Sequence, residues 1–189
     1  MLISWFSLRN GALLAVLLFL LGNQVQANVS DCIISISPLE QNYGNQRRDD
    51  LSFFNTPQGR ATKWDERTNN LTISCPQEEH MALRFSGVSG ADGDIALGNQ
   101  GKVIIVISDA VLDGKKMQLI KTSDRGAITS VTDNSHQVRV GDDIAVGESL
   151  EKGRVLNATI TTTPYLLESA FIVPDTQRVE GRLSVELLE

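Results

Sequence analysis

Hydrophobic positions along most of this chain recur at every second residue, in short runs separated by turn-forming residues. That rhythm places alternate side chains on opposite faces of a strand; a helix would repeat them at three and four residues. Ile33–Ser37 alternates and is stopped by Pro38, and Leu71–Cys75 alternates and is ended by Pro76. Met81–Ser86 is a third such run. Lys102–Ser108 is continuous, apolar and β-branched, which predicts a strand buried on both faces. Asp113-Gly114 then marks a hairpin turn, because both turn positions favour φ > 0. Ala127–Val131 and Gln137–Val140 are weaker strands, and Asp142-Asp143 after Gly141 reads as a turn. Arg154–Thr162 is rich in β-branched residues, Leu167–Val173 is expected to continue the sheet, and Gly181–Glu189 is a last alternating strand. The polar stretch Asn45–Asn70 reads as a long connection holding one short strand or turn of helix. No window of roughly 12 residues carries helical periodicity. Many short strands with turns between them predict an all-β antiparallel sandwich.

One block breaks the rhythm. Met1–Ala27 has a single charged residue, Arg9, then the apolar run Ala12–Leu21, and ends in Val25-Gln26-Ala27. A basic start, an apolar centre and small residues near the end make a secretory signal peptide, with an uncleaved anchor as the alternative. The apolar run falls short of the roughly 20 residues that a membrane span needs. The expected organisation is therefore a signal over residues 1–27 and one domain over 28–189. The signal carries one of the 17 basic residues and none of the 23 acidic ones, so its removal moves the net charge from −6 to −7. That balance argues against nucleic acid as a partner and against a polybasic membrane-surface protein.

Export changes the reading of the cysteines. Cys32 and Cys75 are the only two, and an even count in an oxidising compartment predicts a disulfide; two free buried thiols are the alternative. The two histidines, His80 and His136, do not stand at zinc-site spacing from a cysteine pair, so no metal is expected.

Candidate chemistry is sparse, and no enzyme or cofactor is expected. Ser135-His136 with Asp133 contains the residue types of a catalytic relay, but neighbours in one turn do not converge as a triad must. Asp92-Gly93-Asp94, inside the Gly-rich stretch Gly87–Gly101, lacks the ligand spacing and final Glu of a calcium loop. Arg47-Arg48 beside Asp49-Asp50 reads as a solvated, self-neutralising loop, with anion binding as the alternative. Asn-x-Ser/Thr sequons at Asn28, Asn70 and Asn157 are read as chance occurrences, and Asn70 is expected to open a buried strand.

The last strand is more informative. Leu183, Val185 and Leu187 share one face; Ser184, Glu186 and Leu188 share the other. An apolar strand at a chain terminus is a sheet-edge liability unless it is covered. It is either an ordinary strand of a complete sandwich or an edge that accepts a strand from another protein.

Taken together, several features form a pattern. They are the leader, Cys32 in the first strand, Tyr43-Gly44, Leu71-Thr72-Ile73-Ser74-Cys75, Ser86-Gly87, the Val103–Ser108/Asp113-Gly114 hairpin and Gly181 before the alternating C-terminal strand. This pattern resembles the fimbrial (pilin-type) subunits of the bacterial chaperone–usher pathway. The resemblance implies an immunoglobulin-like sandwich lacking its final strand. It implies export through the periplasm to the cell surface, a periplasmic pilus chaperone, an outer-membrane usher, and a neighbouring fimbrial subunit that donates a strand. A host or surface receptor would be a further partner. Leu183, Val185 and Leu187 would form the groove and its edge, and the carboxylate of Glu189 would anchor the chaperone. Leu188 stands where such subunits commonly carry an aromatic residue. Cleavage after Ala27 would leave only Asn28–Asp31 before Cys32, a segment of at most roughly 14 Å. Such a chain would accept a strand and not donate one, which points to a minor subunit at the distal tip or an initiator of assembly. The competing expectation is a self-contained secreted or periplasmic β-sandwich binding protein, for example one that binds carbohydrate.

Overall fold

The computed structural model describes residues 32–90, 92–123, 127–131, 134–147, 151–172 and 177–188, with the backbone alone for 122, 123 and 127–131. Residues 1–27, where a signal is expected, and Asn28–Asp31, Asp133, Val173 and Glu189 lie outside the described residues. In chain order the strands are β1 (Ile33–Ser37), β2 (Phe54–Thr56), β3 (Gly59–Lys63), β4 (Arg67–His80) and β5 (Ala82–Gly87). They continue with β6 (Ile95–Ala96), β7 (Gly101–Leu112), β8 (Lys115–Lys116), β9 (Leu119–Ser123) and β10 (Ala127–Val131). The last four are β11 (Ser135–Val138), β12 (Asp143–Val146), β13 (Lys152–Leu167) and β14 (Leu183–Leu187). Helix among the described residues is limited to two 3-10 turns, Arg48–Asp50 and Glu168–Phe171.

All described pairings are antiparallel, and they form two sheets. The larger is built on β1, β4, β13 and β7 in that spatial order, with β3 and β2 prolonging the β4 side past the end of the β4–β13 ladder. The smaller runs β10-β9-β12-β5-β14. Naming β1, β4, β5, β7, β13 and β14 as A to F gives A-B-E-D facing F-C. That is the strand order of an immunoglobulin-like sandwich. Among the described residues, no strand occupies the position of G beyond β14.

Period-two patterning explains why these residues pair as they do. Leu71 and Ile73 of β4, Leu156 and Ile160 of β13, and Ile105 and Ile107 of β7 point inward and are almost wholly buried. Leu83 and Phe85 of β5, Leu119 of β9 and Ile144 and Val146 of β12 meet them from the other sheet in one continuous core. Among the described residues Phe85 is the largest of the fully buried side chains and the only phenylalanine among them.

Several expectations are corrected. Pro76 does not end its strand: β4 continues to His80. The β4–β13 register jumps between Ser74↔Val155 and Glu79↔Gly153, so Pro76 sits in a bulge where no ladder hydrogen bond is asked of it. The run 102–108 is buried on one face only; Ile105 and Ile107 are covered, whereas Ile104 and Val106 on the outer face are partly exposed. After Leu167 the chain does not continue the sheet but folds into the turn Glu168–Phe171, whose Glu168 is held by Arg48 and Arg60. Asp143 is no turn residue; it opens β12, every residue of which is buried. Asn70 lies in β4 itself, and its side chain is exposed. The Asp113-Gly114 hairpin forms as expected, with φ of 48° and 83°.

Candidate functional site: the edge shared by the first and last strands

β1 and β14 are the outer strands on corresponding sides of the two sheets. Among the described residues β1 pairs only with β4, with Ile34 opposite Ile73 and Ile36 opposite Leu71. The disulfide Cys32–Cys75 joins the start of β1 to β4 across 43 residues of sequence. The bridge holds the five-residue first strand against β4, its one paired neighbour among the described residues. At the other end of β1, the buried Asn69 side chain donates to the Pro38 carbonyl and accepts from Gln41 Nε2 at 2.7 Å.

Among the described residues β14 pairs with β5 alone: Leu183 faces Gly87, Val185 faces Phe85 and Leu187 faces Leu83. The Leu188 amide donates to the Ala82 carbonyl at 2.8 Å. In an antiparallel ladder the bonded positions alternate. The N–H groups of Leu183, Val185 and Leu187 therefore point away from β5, toward a side where no strand lies among the described residues. The close join at the start of β14 depends on glycine: a Cβ at Gly87 would lie 2.6 Å from the Arg182 carbonyl oxygen.

Burial changes abruptly at this side of the sandwich. The inward residues of β1 and β14, namely Ile34, Ile36, Leu183, Val185 and Leu187, pack against the core but stay partly exposed. Leu71 and Ile73 on β4, and Leu83 and Phe85 on β5, one strand further in, are each 0 % exposed. An apolar lining that is open on two facing edge strands can hold one more extended segment. Such a segment would bring its own alternating apolar side chains and would bond to the free N–H groups of β14. The structure thus places Leu183, Val185 and Leu187 together on the inward face of an edge strand, while Glu189 lies outside the described residues. Sequence reasoning missed Ile34 and Ile36 as the opposite wall, although their alternation in Ile-Ile-Ser-Ile-Ser carried the signal.

The other candidate groups resolve differently. Asp92 and Asp94 both bind Lys102 Nζ, at 2.9 and 2.8 Å, and Gln137 donates to Asp94 at 3.1 Å. The hydrogen bond from Lys102 and its charge hold the Asp92 carboxyl below the usual range; the bond to Asp94 holds the Lys102 ammonium above its usual value. These carboxylates pin the Gly-rich loop to β7 and already share one cation. No group of three or more metal-ligating side chains exists among the described residues. Arg48 does not neutralise its acidic neighbours in sequence; it reaches Glu168 at 2.7 Å, and Arg60 joins the same carboxylate at 2.9 Å. His136 pairs across from Ile107 on β11, and its Nε2 is buried without a hydrogen-bond partner among the described residues. Burial lowers its pKa, so the neutral ring is favoured.

No family model matches the chain. The chain is similar to an uncharacterized protein, YhcE, of Escherichia coli (strain K12), with 22 % identity over 176 residues. That alignment covers 88 % of this chain and 93 % of YhcE.

Proposed function

We propose that this chain is a strand-accepting subunit of a bacterial surface fimbria, exported to the periplasm and assembled by donor-strand complementation. One observation carries the reading: of the eight partly exposed apolar side chains that pack against the core among the described residues, five (Ile34, Ile36, Leu183, Val185 and Leu187) lie on the inward faces of β1 and β14. In this reading a periplasmic chaperone lends a strand to the edge of β14, and a neighbouring subunit replaces it at an outer-membrane usher. The chain's role is structural and adhesive. Position in the fimbria follows from processing. If the leader is cut after Ala27, only Asn28–Asp31 precede Cys32 and the subunit accepts a strand without donating one, as a tip subunit or initiator would. Mass spectrometry of the surface protein reads this directly, and a start well upstream of Ala27 removes the tip placement.

The test of the function is expression of the mature chain in an oxidising compartment. Expressed alone at cellular concentration, it should aggregate, exchange strands or be degraded, so that a monomer is obtained only by refolding in dilute solution. A cognate chaperone should rescue it, as should a hairpin turn and one alternating Val/Thr strand appended after Glu189. A stable monomer that needs neither would overturn the reading and leave a self-contained binding sandwich.

A further inference from the structure

Exposed apolar side chains gather where β14 begins. Val88 is 70 % exposed and follows Gly87, the partner of Leu183 at the start of that strand. Ile172 is 74 % exposed and closes the turn after β13. Phe54, also exposed, meets Tyr165 of β13 edge-on, with ring centroids 6.3 Å apart. Phe53 and Phe171 meet edge-on at 5.8 Å, and the Arg60 guanidinium lies 5.5 Å from the centre of the Phe53 ring. Aromatic rings and arginine are the side chains that protein interfaces favour.

Beside Ile172 opens a cavity of about 130 Å³. Leu97, Leu166, Ile172 and Val179 give it an apolar lining, Asn99 and Gln177 add amides, and no charged side chain lines it. Its walls come from three segments that are pinned to one another. The Gly98 amide donates to the Glu180 carbonyl at 3.1 Å, and the Leu167 amide donates to the Gln100 carbonyl at 2.9 Å. Gly98 leaves no slack in this arrangement: its φ is 58°, and a Cβ there would lie 2.9 Å from Val179 Cγ1. A small, preformed apolar cavity on the surface suits one aliphatic side chain of another molecule.

Strand polarity identifies that molecule. Every described pairing in the smaller sheet is antiparallel, and a strand completing the sandwich beyond β14 is antiparallel to it as well. A donated strand bonded to the N–H groups of Leu183, Val185 and Leu187 therefore enters beside Leu187 and leaves beside Leu183. A donor segment lies ahead of its own first strand, in the position that Asn28–Asp31 hold in this chain. The domain that donates it follows the strand out past Leu183, toward the end that carries Val88, Ile172 and the cavity. We infer that this end is the docking surface for the body of the strand-donating subunit, with one of that subunit's aliphatic side chains seated in the cavity. The inference rests on the fimbrial reading and adds, outside the groove, a second contact with the same partner.

The test places the photo-crosslinking residue benzoylphenylalanine at Ser184, Ile172 or Lys116 of the full chain and irradiates the assembled fimbriae. Ser184 lies beside the groove, Ile172 at the docking end, and Lys116 opposite Val111, at the far end of β7 from the cavity. Ser184 and Ile172 should capture the same protein, the first through its N-terminal segment and the second through its domain; Lys116 should not capture it. That protein is then titrated against residues 28–189 refolded in dilute solution. Ile172→Asp, at an exposed position, should weaken binding of the whole protein roughly tenfold or more, the loss of one good contact. It should leave binding of the isolated N-terminal segment unchanged. Capture at Ser184 with none at Ile172, or with a second copy of this chain at Ile172, would overturn this inference and leave the fimbrial reading standing. Capture of the same domain at Lys116, or unchanged affinity of the whole protein for Ile172→Asp, would do the same. Capture of no donated strand at Ser184 would overturn both.

Discussion

Val185→Asp separates an open edge from a closed one. Val185 lies in the middle of β14, opposite the fully buried Phe85, and is itself only partly covered. In the chain alone the substitution removes part of one valine's apolar burial, about 1 kcal/mol, and the new carboxylate keeps access to water. With a donated strand in place the same carboxylate is enclosed by apolar side chains from both sides. An unpaired charge in that position costs several kcal/mol. The difference, about 3 kcal/mol or more, is a loss of at least roughly 100-fold in affinity for a donated strand. The assay is denaturant unfolding of the chain with and without the appended strand, comparing wild type, Val185→Asp and Ser184→Asp. The Ser184 side chain faces solvent and serves as the control. Equal destabilisation by Val185→Asp in both forms, or an equal effect of Ser184→Asp, would refute the assignment of the inward face to a strand-accepting edge.

Other perturbations test the frame that holds this edge. Replacing Cys32 and Cys75 by serine releases β1 from β4 and should lower stability by about 2–4 kcal/mol, read by thermal unfolding under oxidising conditions. Gly101→Ala places a Cβ 2.8 Å from two backbone carbonyls, those of Leu97 and Tyr165. It should cost about 1–3 kcal/mol; an unchanged melting temperature would contradict the packing at the start of β7. His136 has a folded pKa below its ordinary 6.5, so the unfolded chain binds the proton more readily. Its contribution to stability is complete above pH 6.5 and is lost as pH falls through the folded value. His136→Val should flatten the pH dependence of unfolding below 6.5, and an unchanged slope would refute the buried neutral ring.

Much of the architecture was legible in the pattern of residues because strand identity depends on local alternation, which survives in a single sequence. The run Leu71–Cys75, the Asp113-Gly114 hairpin and the inward set Leu183, Val185 and Leu187 all declared themselves in this way. What depends on distant partners did not. β12 was hidden because all four of its residues are buried, so Asp143-Ile144-Ala145-Val146 shows no alternation, and its acid is stabilised by Arg84, 59 residues away in sequence. The outer face of β7 looked buried because β-branched residues favour strands whether or not they are covered. Glu168 turns the chain after β13 through arginines more than 100 residues earlier, a contact no local pattern encodes. The candidate site was half legible. The β14 wall was readable from its alternation. The β1 wall required knowing that A and F stand on the same side of two facing sheets.

Amide hydrogen exchange at β14 tests the central claim most directly. In residues 28–189 alone, the amides of Leu183, Val185 and Leu187 should exchange rapidly, while the Leu188 amide, bonded to Ala82, exchanges more slowly. Appending a donor strand should protect Leu183, Val185 and Leu187 by bonding them on their open side. Protection of those three amides in the chain alone, unchanged by the appended strand, would mean that the edge is already closed and would contradict the account.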